Sequence, residues 1–359
     1  MIKYLGSKRL LLPSIESIVA ALPAARSVCD LFAGTTRVGQ ALKRMALFVI
    51  SNDTAAYSEV FGRCYIGADA DGIDVSEVQE ILDELASLPP KEGYFTETFC
   101  VRSRFFQPGN GMRIDAIRDG IDEMHLEEPM RSIVLTSLIE AADRVDSTTG
   151  LQMAYLKEWA PRSYQDLELR VPEMTAGTGE VHCEDANELV RRLPEVDLLY
   201  LDPPYNQHSY FSNYHIWETV VRNDKPEVYG TACKRVDCKT TKSRYNSRKE
   251  CFKALADVVR TARARYILVS FSDEGFVASE DLEALLGERG EVVRLDIPHK
   301  RYVGAQIGIY SPNGERVGEV SHLKNTEHLF LVGEGVGELA RGWESRNADM
   351  RVEQLELGF

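Results

Sequence analysis

The sequence predicts an α/β protein: a mainly parallel, nucleotide-type sheet interrupted by a helical insert. Three observations carry this. The run Ser27–Phe32 reads as a short strand that enters the glycine turn Ala33-Gly34-Thr35-Thr36 and then a helix through Ala41, Leu42 and Met45. A second apolar run, Leu47–Ser51, ends in Asn52-Asp53. An acid about 20 residues past a glycine turn is where such folds hold a ribose diol. The third is Leu198-Leu199-Tyr200-Leu201, a buried-strand pattern that stops at Asp202-Pro203-Pro204-Tyr205 because neither proline has an N–H for a ladder bond.

The 359 residues are 44% apolar, enough for two domains, and no apolar run approaches the ~20 residues that span a bilayer. The start, Met1–Lys8, lacks the apolar core of a signal peptide. Seven scattered cysteines contain no C-x-x-C pair. They read as reduced thiols of a cytoplasmic protein with no metal site. A formal net charge of −14 argues against broad affinity for nucleic acid from composition alone. Local charge is more telling: Lys234 to Lys249 holds seven Lys/Arg against Asp237. Such a segment in an acidic chain is a candidate phosphate-contacting loop.

In chain order, Leu11, Ile15, Ile18, Val19 and Leu22 share a helical face and predict a first helix over 11–22. After the first two strands the pattern turns helical. Val75, Val78, Ile81, Leu82 and Leu85 form one amphipathic stripe ending at Pro89-Pro90. Ile114, Ile117, Ile121 and Met124 form another, and Ile133–Ala142 a third, with a loop expected at Gln107–Gly111. The segment Asp146–Lys157 mixes hydroxyls, a glycine, Tyr155 and Lys157, a composition equally suited to a nucleic-acid cleft and to a plain loop. Glu180–Ala186 predicts a strand, 252–262 a helix, and Tyr266–Phe271 a strand. Ser279 is expected to cap a helix that Gly290 closes. Glu291–Ile297 is a predicted strand, Asn313-Gly314 a hairpin turn, and Leu329–Val332 a last strand before a charged tail. There is no internal repeat.

The expected division is a split catalytic domain (1–57 and 178–335) around a mainly helical insert (58–177). A DNA-contacting loop would lie at 206–250 and a C-terminal tail at 336–359.

Asp202-Pro203-Pro204-Tyr205 has a chemistry of its own. An acid, rigid carbonyls beside proline nitrogens and a flat ring suit an exocyclic amino group on a planar heterocycle. The ordered set Tyr4–Lys8, Asp30–Gly34, Asp53, Glu184–Ala186, Asp202–Tyr205, Tyr214–Glu218 and His299–Tyr302 resembles the amino-methylating, adenine-specific DNA methyltransferases of the Dam-like and D12 class. The likeness runs over roughly residues 1–333.

The resemblance implies a Rossmann-like, S-adenosylmethionine-dependent methyltransferase sheet and duplex DNA as the partner substrate. Tyr4, Lys8 and the turn Phe32, Ala33 and Gly34 would border the methionine end of the cofactor, and Asp30 and Thr35 would also bind it. Asp53 would hold its ribose and Asp185 its adenine, Ala186 would also bind the cofactor, and Asp202 would serve both cofactor and base. Asp202, Pro203, Pro204 and Tyr205 would be catalytic, receiving a flipped adenine. Tyr155, Lys157, Lys234, Arg235, Lys239, Lys242, Arg244, Lys300 and Arg301 would contact the nucleic acid, with the insert reading sequence. Thr36 departs from the family pattern, where glycine is common; a left-handed backbone there would strain it.

The alternatives are N4-cytosine methylation, methylation of RNA or of a protein amide, and a silent DNA-binding scaffold. A cognate restriction endonuclease fits as a partner, and a monomer is the default state.

Overall fold

The computed structural model describes residues 2–6, 8–273, 275–300, 309–310, 316–318 and 324–341. The strands are β1 (Ser27–Asp30), β2 (Phe48–Asn52), β3 (Glu180–His182), β4 (Val196–Leu201), β5 (Val228–Tyr229), β6 (Lys234–Arg235), β7 (Ala264–Ser272), β8 (Val292–Lys300), β9 (Ile309–Tyr310), β10 (Arg316–Gly318) and β11 (Lys324–Gly333). Seven of them form one sheet in the order β3-β2-β1-β4-β7-β11-β8. β2 runs parallel to β3 and β4 parallel to β7, whereas β11 is antiparallel to both β7 and β8. This is the α/β sheet expected from the sequence. No helix among the described residues is long and apolar enough to cross a membrane.

The chain divides into two compact units. The first comprises Met1–Arg9, Cys29–Ala186 and His208–Ser243. Its core is aromatic, with Tyr57, Phe61, Phe99, Phe105, Phe106 and Trp217 buried together with Ile133, Leu135 and Leu138. The helices Val75–Ser87 and Met130–Arg144 form where the apolar periodicity places them. Asp74 caps the former, its carboxylate accepting from Ser76 and Glu77. Trp217 and Ile216 come from the helix His215–Arg222, so a segment far along the chain completes the core of the first unit.

One predicted loop is absent. Gln107–Gly111 reads as a turn from its Pro and Gly, but the helix Pro108–Glu123 begins inside it. Pro108 stands at the first helical position, where its missing N–H costs nothing. Asn110 is buried, donating to the Ser163 and Gln165 carbonyls and accepting from Leu167 N–H.

The second unit comprises Leu10–Val28, Asn187–Gln207 and Arg244–Phe359. Here the helix Leu12–Ala21, β4, the helix Cys251–Thr261, β7 and β11 form as expected. The helix Ser279–Gly287 is capped differently: Ala278 is the flanking residue and no side chain caps it. Ser279 itself is the first helical residue. β9 and β10 pair antiparallel, Tyr310 opposite Arg316, on either side of Asn313-Gly314, which lies outside the described residues. Arg301 and Tyr302 also lie outside them, as does Ser7, and the Lys300 side chain at the end of β8 is not described.

Candidate active site

In the first unit β1 ends at Asp30 and the chain turns through Leu31–Thr36 into the helix Arg37–Arg44. Backbone bonds fix the turn: Ala33 N–H donates to the Asn52 carbonyl (2.8 Å) and Thr36 N–H to the Ala33 carbonyl (2.7 Å). Gly34 has φ +53° and donates its N–H to Asp53 Oδ2 at 2.9 Å. A Cβ at Gly34 would stand 3.1 Å from the Tyr4 ring, so a glycine lets the backbone lie flat against that face. Thr36 does take the left-handed conformation, φ 60°, at the helix cap. Its hydroxyl is committed locally, donating to the Thr35 carbonyl at 2.7 Å and accepting from Gln40 Nε2 at 2.9 Å. A β-branched residue held there stores on the order of 1–2 kcal/mol of strain.

Asp53 follows β2 and is half-buried. Besides Gly34, it accepts from Thr54 N–H (2.7 Å) and Ala55 N–H (3.2 Å). Burial raises its pKa above the ordinary carboxylate value, and the three backbone N–H groups pull it back. A carboxylate has about four lone-pair sites, so three N–H donors leave it able to accept one hydroxyl more. Asn52 was not singled out by sequence reasoning, yet it ties the site together. Its amide donates to the Leu31 and Glu184 carbonyls (3.1 and 3.2 Å) and accepts from Glu184 N–H (3.2 Å). Asp185 beside it is exposed, and Ala186 is buried at the start of the helix Ala186–Arg192.

Tyr4 closes the other side. Its ring stacks on Tyr214 (centroids 4.5 Å apart, 16° between planes) and on Tyr210 (5.3 Å, 20°). Its hydroxyl lies 3.2 Å from that of Tyr57. Burial holds both phenols well above the usual value of 10.0, so both are neutral. The Tyr214 hydroxyl accepts from Leu5 N–H at 2.5 Å. Lys8 is buried, at 5% exposure, in a single 3-10 turn. Glu218, wholly buried in the helix His215–Arg222, accepts from Tyr57 N–H (3.4 Å) and pairs with Arg222 (2.7 Å). Tyr214–Glu218 thus serves the site through packing and anchoring.

The residues fit a nucleoside-sulfonium cofactor on structural grounds. A glycine turn lies against an aromatic ring, and a half-buried carboxylate sits beside them with a lone pair left to accept a hydroxyl. Among the described residues no group of three or more His, Cys, Asp or Glu could hold a metal ion.

In the second unit β4 pairs with β7 up to Leu201 opposite Val269, and the ladder ends there. Asp202, Pro204 and Tyr205 are half-buried and Pro203 is buried. The turn is held from behind: the Tyr205 carbonyl accepts from Phe276 N–H (2.8 Å), and its ring meets Phe271 edge-on at 5.9 Å. Asn246 Nδ2 donates to the Asn206 carbonyl at 2.7 Å.

The residues expected at nucleic acid divide. Lys157, Lys239, Lys242 and Arg244 are exposed and Lys234 is half-buried. Tyr155 is half-buried, packed edge-on against Phe105 at 5.3 Å. Arg235 must be corrected. It is 2% exposed and forms a fork with Asp224 (2.7 Å on each nitrogen) as well as pairing with Asp237 (2.8 Å). Its charge is spent inside the fold, and a run of basic residues does not reveal which of them has carboxylates waiting.

The strand, glycine turn and acid of the first unit, and the strand of the second unit that ends in Asp-Pro-Pro-Tyr, are the motifs expected of an enzyme that methylates amino groups from a nucleoside cofactor. A family model described as D12 class N6 adenine-specific DNA methyltransferase matches residues 4–282, and the chain belongs to this family. It is similar to the type II methyltransferase M.NlaIII of Neisseria lactamica, 30% identical over 313 residues, 83% of this chain and 92% of that one. The modification methylase StsI of Streptococcus sanguinis is 32% identical over 325 residues, covering 85% of this chain. The type II methyltransferase M.FokI of Planomicrobium okeanokoites is 31% identical over 323 residues, covering 84%. The chain spans about half the length of these last two, 49% in each case. The family decides for adenine over cytosine as the methylated base, and the methyl donor is S-adenosylmethionine, as the resemblance implies.

Proposed function

We propose that Asp202, Pro203, Pro204 and Tyr205 receive an adenine flipped out of duplex DNA and that methyl transfer is direct. In this reading Tyr4, the Gly34 turn, Asp53, Asp185 and Ala186 hold the cofactor. When bound, S-adenosylmethionine supplies an electrophilic methyl group on a sulfonium. The adenine amino group is a poor nucleophile because its lone pair is delocalised into the ring. The Asp202 carboxylate and the Pro203 carbonyl accept its two hydrogens, draw the nitrogen towards tetrahedral geometry and localise the pair. The nitrogen–methyl bond forms as the methyl–sulfur bond breaks, and one amino proton leaves by way of Asp202. The contribution of the protein is positioning and electrostatics. The Tyr205 ring supplies the face on which the extruded base stacks, which recovers part of the cost of unstacking it.

The observation that carries this is the Asp202–Tyr205 turn itself: it ends a ladder, keeps its acid half-buried and is braced from behind at the Tyr205 carbonyl. The same reading makes the protein a cytoplasmic monomer that methylates one strand at a time, alongside a cognate restriction endonuclease.

The test is methyl transfer from labelled S-adenosylmethionine to mixed-sequence duplex DNA, with nucleoside mass analysis and cofactor binding by calorimetry. Asp202→Ala should abolish N6-methyladenine formation and leave cofactor binding within about two-fold. Undiminished transfer by Asp202→Ala would refute the assignment.

A further inference from the structure

Three segments far apart in the first unit meet on its surface: 101–104, 151–159 and 228–239. The Arg104 guanidinium lies over the Trp159 ring, 4.7 Å from its centroid, and donates to the Lys157 carbonyl at 3.0 Å. Lys234 Nζ reaches Met153 Sδ at 3.9 Å, which joins the third segment to the second. On the β5–β6 hairpin, Lys234 and Lys239 flank one ring: their ammonium groups stand 5.8 and 4.3 Å from the Tyr229 centroid. Buried Arg235 anchors that hairpin through Asp224 and Asp237.

The charge on this surface is one-sided. Arg102, Lys157 and Lys239 are exposed, and Arg104 and Lys234 are half-buried with their head groups on aromatic faces. Against them, these segments hold the acids Glu158, which is exposed, and Asp237, which is committed to Arg235. In a chain of formal net charge −14 such a strip is a local reversal of sign. Aromatic rings beneath the cations hold them in place, which lowers the entropy lost when each meets an anion.

We infer that this strip, Arg102, Arg104, Lys157, Lys234 and Lys239 with Trp159 and Tyr229 beneath, holds the sugar–phosphate backbone of duplex DNA. Its contacts are to phosphate, so it grips the substrate without reading sequence. That separates it from the recognition of the target base, and it assigns Arg102, Arg104 and Trp159 a role that sequence reasoning did not give them. The inference rests on the proposed reading of the protein as a duplex-DNA enzyme.

Each phosphate contact adds about 0.9 to the steepness of log K against log salt. The experiment measures the affinity of the full chain for two labelled duplexes of different sequence, between 50 and 200 mM KCl, with S-adenosylhomocysteine present to prevent turnover. Lys234→Ala/Lys239→Ala and, separately, Arg104→Ala/Lys157→Ala should each lower the slope by about 1.8 on both duplexes. Over that four-fold salt range the rise in Kd then shrinks by about twelve-fold. Lys253→Ala, an exposed lysine of the second unit, should leave the slope unchanged, and melting temperatures identify folded variants. Slopes equal to wild type, or losses confined to one duplex, would overturn the inference. A wild-type protein that does not bind or methylate duplex DNA would instead overturn the reading beneath it.

Discussion

Asp143 and Asp146 place two carboxylates at the end of the helix Met130–Arg144, and Lys3, the residue before Tyr4, bonds to both. Lys3 donates its N–H to Asp143 Oδ2 at 3.1 Å and its ammonium to the same oxygen at 3.0 Å, with Asp146 Oδ1 at 3.3 Å. Arg162 holds Asp146 from the other side at 2.6 Å. Burial pushes the Asp143 carboxyl up from 3.8 to about 6, opposed by Lys3 and reinforced by Asp146. A carboxyl raised on folding binds protons more tightly in the native state, so its ionisation destabilises the fold. The cost is absent below the unfolded value, grows as pH rises towards 6 and is complete above it. With folded and unfolded values about 2 units apart, the loss between pH 5 and pH 7 is about 1.3 kcal/mol, and between pH 4 and pH 7 about 2.4 kcal/mol. Asp143→Asn removes this titration and keeps an acceptor for the Lys3 N–H. Urea unfolding followed by the fluorescence of buried Trp217 should show the stability difference, wild type minus variant, falling by about 1.3 kcal/mol from pH 5 to pH 7. Titrating groups that do not interact with Asp143 cancel in that difference. A difference independent of pH, or one that grows with pH, would refute the argument.

Two further predictions follow from the same structure. Tyr214→Phe keeps the stack on Tyr4 but removes the acceptor for the Leu5 N–H; it should cost about 1–2 kcal/mol and weaken cofactor binding about five-fold, both measurable by calorimetry. Arg235→Met strips a guanidinium that is 2% exposed from Asp224 and Asp237, which are 38% and 35% exposed and so regain water. It should cost about 2–3 kcal/mol in urea unfolding, below the full range for a wholly buried pair.

The sequence by itself determined the features written within one turn or one element. The glycine turn after β1, the acid after β2, the helices Val75–Ser87 and Met130–Arg144, and the strand that stops at Asp202-Pro203 are local. Each follows from periodicity, backbone freedom or a missing N–H over fewer than about twenty residues. Ser279 and Gln107–Gly111 show the edge of that reach: the same residue types serve as caps, first-turn residues or loops, and packing of the next turn selects among them.

Only the tertiary structure decided which distant residues meet. Tyr4 stacks on Tyr210 and Tyr214, Asn52 clasps Glu184, Trp217 fills the aromatic core of the first unit, and Lys234 reaches Met153. Such pairings depend on how whole elements bury their apolar faces, and no local pattern encodes them. Arg235 makes the same point about charge. In the sequence it is one cation among seven between Lys234 and Lys249, but in the fold Asp224 and Asp237 enclose it while Lys239 stays at the surface. The difference is burial, because a charge is held inside only where opposite charges meet it at hydrogen-bonding distance.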